Sequence, residues 1–208
     1  MTETAPASPH TPPLRPVVLR VAGLNLAYFG VEIVVALAIG SVALIADSMD
    51  FLEDAALNLL IFAGLGWSLR NRARLGTVMA AILLVPALAG AIAAWQKFHA
   101  FTPPDPVPLT LAGLGALAVN LACAAMLARH RDGAGSLTKA AWLSARNDAF
   151  ANLAIIAAGL VTALYPSPWP DLAAAALVAV INADSAGDIL RAARAERRAE
   201  RRGANEAA

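Results

Sequence analysis

The chain has 208 residues, 59% of them hydrophobic and only 15% charged, with a mean hydropathy of +0.61. A water-soluble domain carries about a quarter charged residues, so lipid is the solvent for most of this chain and no second folded domain fits beside the spans. The net charge of +1 hides an asymmetry: of the 16 Lys and Arg, Lys97 alone is placed towards the outer side, at the end of its apolar run, and Arg146 lies well within a span.

Residues 1–16 carry five prolines and no apolar segment, which predicts a disordered cytoplasmic arm rather than a signal peptide. Apolar runs then predict spans over 17–39, 41–69, 75–98, 109–128, 138–165 and 170–190, each long enough for a hydrocarbon core that needs about 20 residues. Residues 17–190 are thus expected to form an all-α integral membrane protein, a bundle of six transmembrane helices. Gly40 and Ser41 leave almost no linker between the first two spans, which makes them a tight hairpin. The proline-rich segment 102–108 breaks any helix before the fourth span. Segment 165–170, with Tyr165, Trp169 and three prolines, closes the outer side before the sixth.

The remaining cations cluster at Arg15 and Arg20, at Arg70, Arg72 and Arg74, at Arg129, Arg131 and Lys139, and in the tail from Arg191 to Arg202. The positive-inside rule places all of these, and therefore both termini, in the cytoplasm. The basic tail, 191–208, reads as a surface helix meeting anionic membrane lipid, not as a nucleic-acid patch. The single cysteine, Cys123, excludes a disulfide framework and a cysteine metal cluster.

Chemistry is concentrated on the second and fifth spans. Asp47, Asp50, Glu53 and Asp54 put four carboxylates into eight residues of the second span. Each ionised group at mid-helix costs about 2.5–3.5 kcal/mol on insertion scales. At about 100° per residue, Asp50 and Asp54 lie about 40° apart with Asp47 about 20° further round, so the three share a face and Glu53 falls outside it. Such a face lines a water-filled cavity or holds protonated carboxyls, or else it binds a cation. On the fifth span Ser144 and Asp148 are again i and i+4. The expected topology makes the two spans antiparallel, so Asp50 is level with Asp148 and Asp54 with Ser144. Two such pairs on facing helices form a rectangle with sides of about 6 Å, suited to a four-coordinate cation.

These stretches resemble the transmembrane domain of the cation diffusion facilitator family of metal–proton antiporters. The matching residues are the run from Gly40 through Asp47 and Asp50 to Asp54, then Val119, Asn120 and Leu121 with Leu127 to His130 after them, then Lys139 to Ser144 and Asp148, and finally Pro170 and Asp171. They keep the family's order and spacing over about residues 20–190. The resemblance implies that Asp50, Asp54 and Asp148 ligate a divalent metal cation, with Asp47 as a neighbour. It also implies export from the cytoplasm in exchange for protons, a homodimer, and a place in the bacterial inner membrane. The cation is cargo, and no cofactor or enzymatic activity is expected.

The chain departs from the family in three ways. Ser144 stands where the family commonly has His, leaving an oxygen-only shell that tolerates harder cations than zinc and in which water or Asn147 replaces the missing ligand. Glu53 and Arg146 add charges, with Arg146 about 160° from Asp148 on the helix wheel. No soluble domain follows the sixth span within this length. Zinc, cadmium, cobalt and iron are the cations considered. The competing readings are a proton-coupled carrier of small organic cations and a non-transporting metal-sensing paralogue. An intramembrane hydrolase has neither a His-Glu-x-x-His helix nor a Gly-x-Ser-x-Gly elbow to support it.

Other polar residues carry plainer expectations. Asn25, Tyr28 and Glu32, at i, i+3 and i+7 on the first span, read as an interhelical hydrogen-bond network, and Asn120 as packing glue. Asp171 reads as a dipole partner for its own helix. His10, His99 and His130 read as solvated, and the glycines in the spans as sites of close helix packing.

Overall fold

The computed structural model describes residues 14–64, 92, 95, 97, 102–129 and 136–181, with backbone alone at 136–140 and 144. The arm up to residue 13, most of the expected third span, Arg70, Arg72 and Arg74, His10, His99, His130, Arg131, the end of the sixth span and the basic tail lie outside the described residues.

The described residues are almost all helical, without a strand. They form α1 (Leu14–Ile39), α2 (Val42–Gly64), α3 (Pro106–Ala128), α4 (Ser136–Leu164) and α5 (Trp169–Ile181). Ile92, Trp95 and Lys97 are also helical. By length and composition α1, α3 and most of α4 are long and apolar enough to cross a membrane. Helix α2 has 23 residues, a spanning length, and carries the four carboxylates.

The turn between α1 and α2 is built from local rules. Gly40 adopts φ +64, the left-handed conformation that only glycine takes cheaply. The Ser41 N–H reaches back to the Ala36 carbonyl at 3.0 Å, which is the six-to-one bond of a Schellman ending. Ser41 then caps α2, its hydroxyl accepting from the Leu44 N–H at 3.1 Å. Helix α3 starts with Pro106 at its first turn, and the Asp105 carboxylate accepts from the Val107 N–H at 3.0 Å.

Helix α1 packs on α2 and α3, and α4 packs on α2 and α3. Two apolar clusters hold the bundle. One joins Ala36 of α1, Val42–Ile45 of α2, Leu109 and Ala112 of α3, Ala151, Ile155 and Ala158 of α4, and Ala174, Ala175 and Val178 of α5. The other joins Val17, Val18 and Val21 of α1, Ile61 of α2, Cys123 and Leu127 of α3, and Ala141 and Ala145 of α4. The pairing of early α2 with late α4, and of late α2 with early α4, makes these helices antiparallel as the sequence led us to expect.

Close approach depends on three glycines. A Cβ at Gly115 would collide with the Tyr28 hydroxyl, and one at Gly159 with Thr110, while one at Gly113 would press on Ile155 and Ile156 at 3.1 Å. Gly23 and Gly30 have nothing within 4 Å, so the packing role expected of span glycines does not extend to them.

Candidate functional site

Between the two apolar clusters lies a layer of buried polar side chains. It contains Asn25 and Glu32 of α1, Asp47, Asp50, Asp54 and Asn58 of α2, Asn120 of α3, and Asp148 and Asn152 of α4. The layer is built from the inner turns of α1 to α4, between the residues that supply the two apolar clusters. Asp50, Asp54 and Asp148 are 6%, 4% and 3% exposed, so the carboxylates expected to ligate a cation are all withdrawn from the lipid face.

The acidic face of α2 divides between two neighbours. Asp54 and Asp148 both lie near enough to the Cys123 side chain of α3 to act on it electrostatically. Asp47 is fully buried and lies near enough to Glu32 of α1 for the two carboxyl groups to interact electrostatically. Among the described residues no group of three or more His, Cys, Asp and Glu side chains is arranged to hold a metal ion. Ser144 lies in α4 one turn before Asp148; its side chain is outside the described residues.

The other predicted residues are placed as follows. Asn147 is half-buried, and its carboxamide oxygen accepts from the Arg146 guanidinium at 3.2 Å. Arg146 is exposed and stacks over the Trp142 ring at 5.4 Å, so it points away from the polar layer. Glu53 is exposed, turned about 100–120° round α2 from Asp54 and Asp47. Of the expected network on α1, Asn25 and Tyr28 do bond across helices. The Cys123 thiol donates to the Asn25 carboxamide oxygen at 3.5 Å, and the Tyr28 hydroxyl donates to the Ala112 carbonyl at 2.5 Å. The Tyr28 ring also packs on Phe51 with centroids 4.9 Å apart. Glu32 takes no part in that network.

Two residues differ from the sequence expectation. Asp171 lies in the first turn of α5, yet its carboxylate serves the start of α2. It accepts from the Ser41 hydroxyl at 2.5 Å, the Val42 N–H at 2.9 Å and the Ala43 N–H at 3.3 Å. With Ser41 covering Leu44, the first three N–H groups of α2 are all satisfied, and an anion sits at its positive end. Lys97, expected towards the outer side, is helical and buried. Its ammonium pairs with Asp171 at 2.8 Å and donates to the Gly40 carbonyl at 2.7 Å. A lone buried carboxylate is costly, and this ammonium answers it.

Asn152 was not singled out from the sequence. It is fully buried in the layer, one turn beyond Asp148, and among the described residues neither of its amide atoms finds a hydrogen-bond partner. The i+4 step from Asp148 was the signal that could have found it. Unsatisfied buried amides cost about 1–3 kcal/mol each.

A family model described as the cation efflux transmembrane domain matches residues 18–196. Comparison with curated proteins returned no match.

Proposed function

The chain belongs to the cation efflux family, and from that premise we propose that it exchanges divalent metal cations for protons by alternating access. Members of this family are transporters of metal cations, so the reading concerns which cation moves, how, and on which residues. The ligands are Asp50, Asp54 and Asp148, with Ser144 and water completing an oxygen shell. The observation that carries this is the burial of all three carboxylates in one polar layer closed above and below by apolar clusters.

The chemistry follows from charge. Clustered carboxylates cannot all be ionised at low cost without a counter-charge. A divalent cation supplies +2 and displaces protons, since only ionised carboxylates ligate well. Opening to the outside releases the cation, and reprotonation resets the carrier. The bundle has six spans with both termini in the cytoplasm, lies in an inner membrane among its lipids, and works as a homodimer. Oxygen ligands favour harder cations such as manganese or iron over zinc.

The test is uptake into proteoliposomes of zinc, cadmium, cobalt, nickel, manganese and iron, with a pH dye inside. We expect cation movement accompanied by a counter-directed proton flux. If no cation moves and the dye stays silent, the antiport reading fails. If transport survives Asp54→Ala and Asp148→Ala, the ligand assignment fails.

A further inference from the structure

Arg146 faces away from the polar layer. On α4 the residues Arg146, Phe150, Leu153, Ala157 and Leu160 are all exposed and succeed one another at steps of four or three, so they form one stripe along the helix. Asp148, Asn152 and Ile155 lie on the buried face. In a membrane that stripe meets lipid, and Arg146 is its one charged member. The spanning part of α4 begins at Ala141, which sets the Arg146 backbone about 7.5 Å inside it at 1.5 Å per residue.

The side chain does not stay at that depth. Its guanidinium carbon lies 5.4 Å from the Trp142 ring centroid, one turn towards the helix N-terminus, which is the direction in which helical side chains lean. Tryptophan is enriched where hydrocarbon gives way to headgroups, and an arginine one turn deeper reaches that boundary by extending its stem. The guanidinium carries five N–H donors. Among the described residues it donates to the neutral Asn147 carboxamide oxygen at 3.2 Å, and no carboxylate pairs with it. More cations stand at the same end of the bundle. Arg129 is exposed at the C-cap of α3, and Arg15 and Arg20 are exposed on the first turns of α1. Val17, Leu127, Ala141 and Ala145, their neighbours in the chain, share one apolar cluster.

We propose that Arg146, with the Trp142 ring beside it, binds the phosphate of an anionic phospholipid in the leaflet that meets the N-terminal end of α4. The planar guanidinium fork suits phosphate oxygens, which accept two parallel N–H bonds. Phe150 and Leu153 continue the stripe as a track for the acyl chains, an apolar surface that a soluble phosphate would leave uncovered. The exposed cations around it favour a headgroup of net negative charge over a zwitterionic one. The site rests on the membrane location of the chain and not on the transport reading.

The test is native mass spectrometry of the full chain, released from a neutral detergent and titrated with phosphatidylglycerol or phosphatidylcholine of the same acyl chains. The wild type should retain its first phosphatidylglycerol at about five-fold lower lipid concentration than phosphatidylcholine, the effect of about one basic residue near an anionic surface. Arg146→Gln should lose most of that preference and Arg146→Lys part of it. Arg129→Gln, which removes the same charge from the same end, should keep nearly all of it. A wild type that binds both lipids alike overturns the site. So does equal loss in the Arg129 and Arg146 variants, because the preference then belongs to the basic end as a whole. A change from dimer to monomer in Arg146→Gln also overturns it, since the residue then faces a second copy. Arg146 is exposed, so its variants should melt with the wild type in detergent alone. Phosphatidylglycerol should then raise the melting temperature of the wild type more than that of Arg146→Gln, and an equal rise refutes the assignment.

Discussion

The knot at the start of α2 makes a quantitative prediction. Asp171 accepts from Ser41, Val42, Ala43 and Lys97, whereas Lys97 donates to Asp171 and Gly40. Asp171→Ala therefore strands a buried ammonium with one carbonyl for company and uncovers two N–H groups of α2. Removing one partner of a buried ion pair costs about 3–5 kcal/mol, and losing a helix cap costs about 0.5–2 kcal/mol. We expect a loss of about 5 kcal/mol from the two effects together.

Lys97→Met is milder, because Asp171 keeps three donors and the positive end of α2, a dipole interaction worth up to about 2 kcal/mol in partly buried sites. We expect about 2–3 kcal/mol for that variant, the ion-pair loss less what the dipole retains. The double variant should cost less than the sum of the single ones by at least about 1 kcal/mol, as groups in one network do. Equilibrium unfolding in mixed micelles, titrated with a denaturing detergent, reads all three. If Lys97→Met costs as much as Asp171→Ala, or if the effects add, the knot is not the network described.

Three further outcomes can be checked. Gly159→Ala should destabilise by about 1–3 kcal/mol, the usual cost of overpacking, because the new methyl meets the Thr110 backbone at 3.1–3.2 Å; Gly30→Ala, with open space around it, should stay within about 0.5 kcal/mol of wild type in the same unfolding assay. Glu53→Gln should leave proteoliposome transport unchanged, since Glu53 is exposed away from the acidic face. Ser144→His should shift the cation preference towards zinc, as imidazole does, and an unaltered profile would show that residue 144 does not face the ion.

Helix limits were legible because each apolar run is punctuated by a residue with a fixed backbone preference. Gly40 ends α1 in the left-handed conformation, and Pro106 opens α3 where its missing N–H is harmless. The acidic face was legible too, because helical spacing alone sets Asp47, Asp50 and Asp54 together. Which neighbour each carboxylate meets was not. Asp171 was assigned to its own helix by proximity, but its partners Ser41 and Val42 lie 130 and 129 residues away. Lys97 looked like an outer-side residue because it sits near the end of an apolar run, and only the position of Asp171 explains its burial. Glu32 looked like a member of the Asn25 and Tyr28 network because the three share a helix face. Its proximity to Asp47 depends on how α1 and α2 are set against each other, which no single helix encodes.

The same distribution of charge argues for the site's purpose. Among the described residues the polar layer holds five carboxyl side chains, Glu32, Asp47, Asp50, Asp54 and Asp148, while Lys97, Arg15 and Arg146 make their described contacts elsewhere. A layer so composed is suited to taking its positive charge from outside the chain, as protons or as cargo. Binding to the folded state alone must then stabilise the fold by mass action, by about 2.7 kcal/mol when the cation stands at 100 times its dissociation constant. The wild-type protein should therefore melt at a higher temperature with a transported cation than without it. Asp54→Asn and Asp148→Asn keep side-chain shape but remove ligand charge, so each should lose most of that shift while folding normally. Should both amide variants be stabilised by the cation as strongly as the wild type, the cation binds elsewhere and Asp54 and Asp148 are not its ligands.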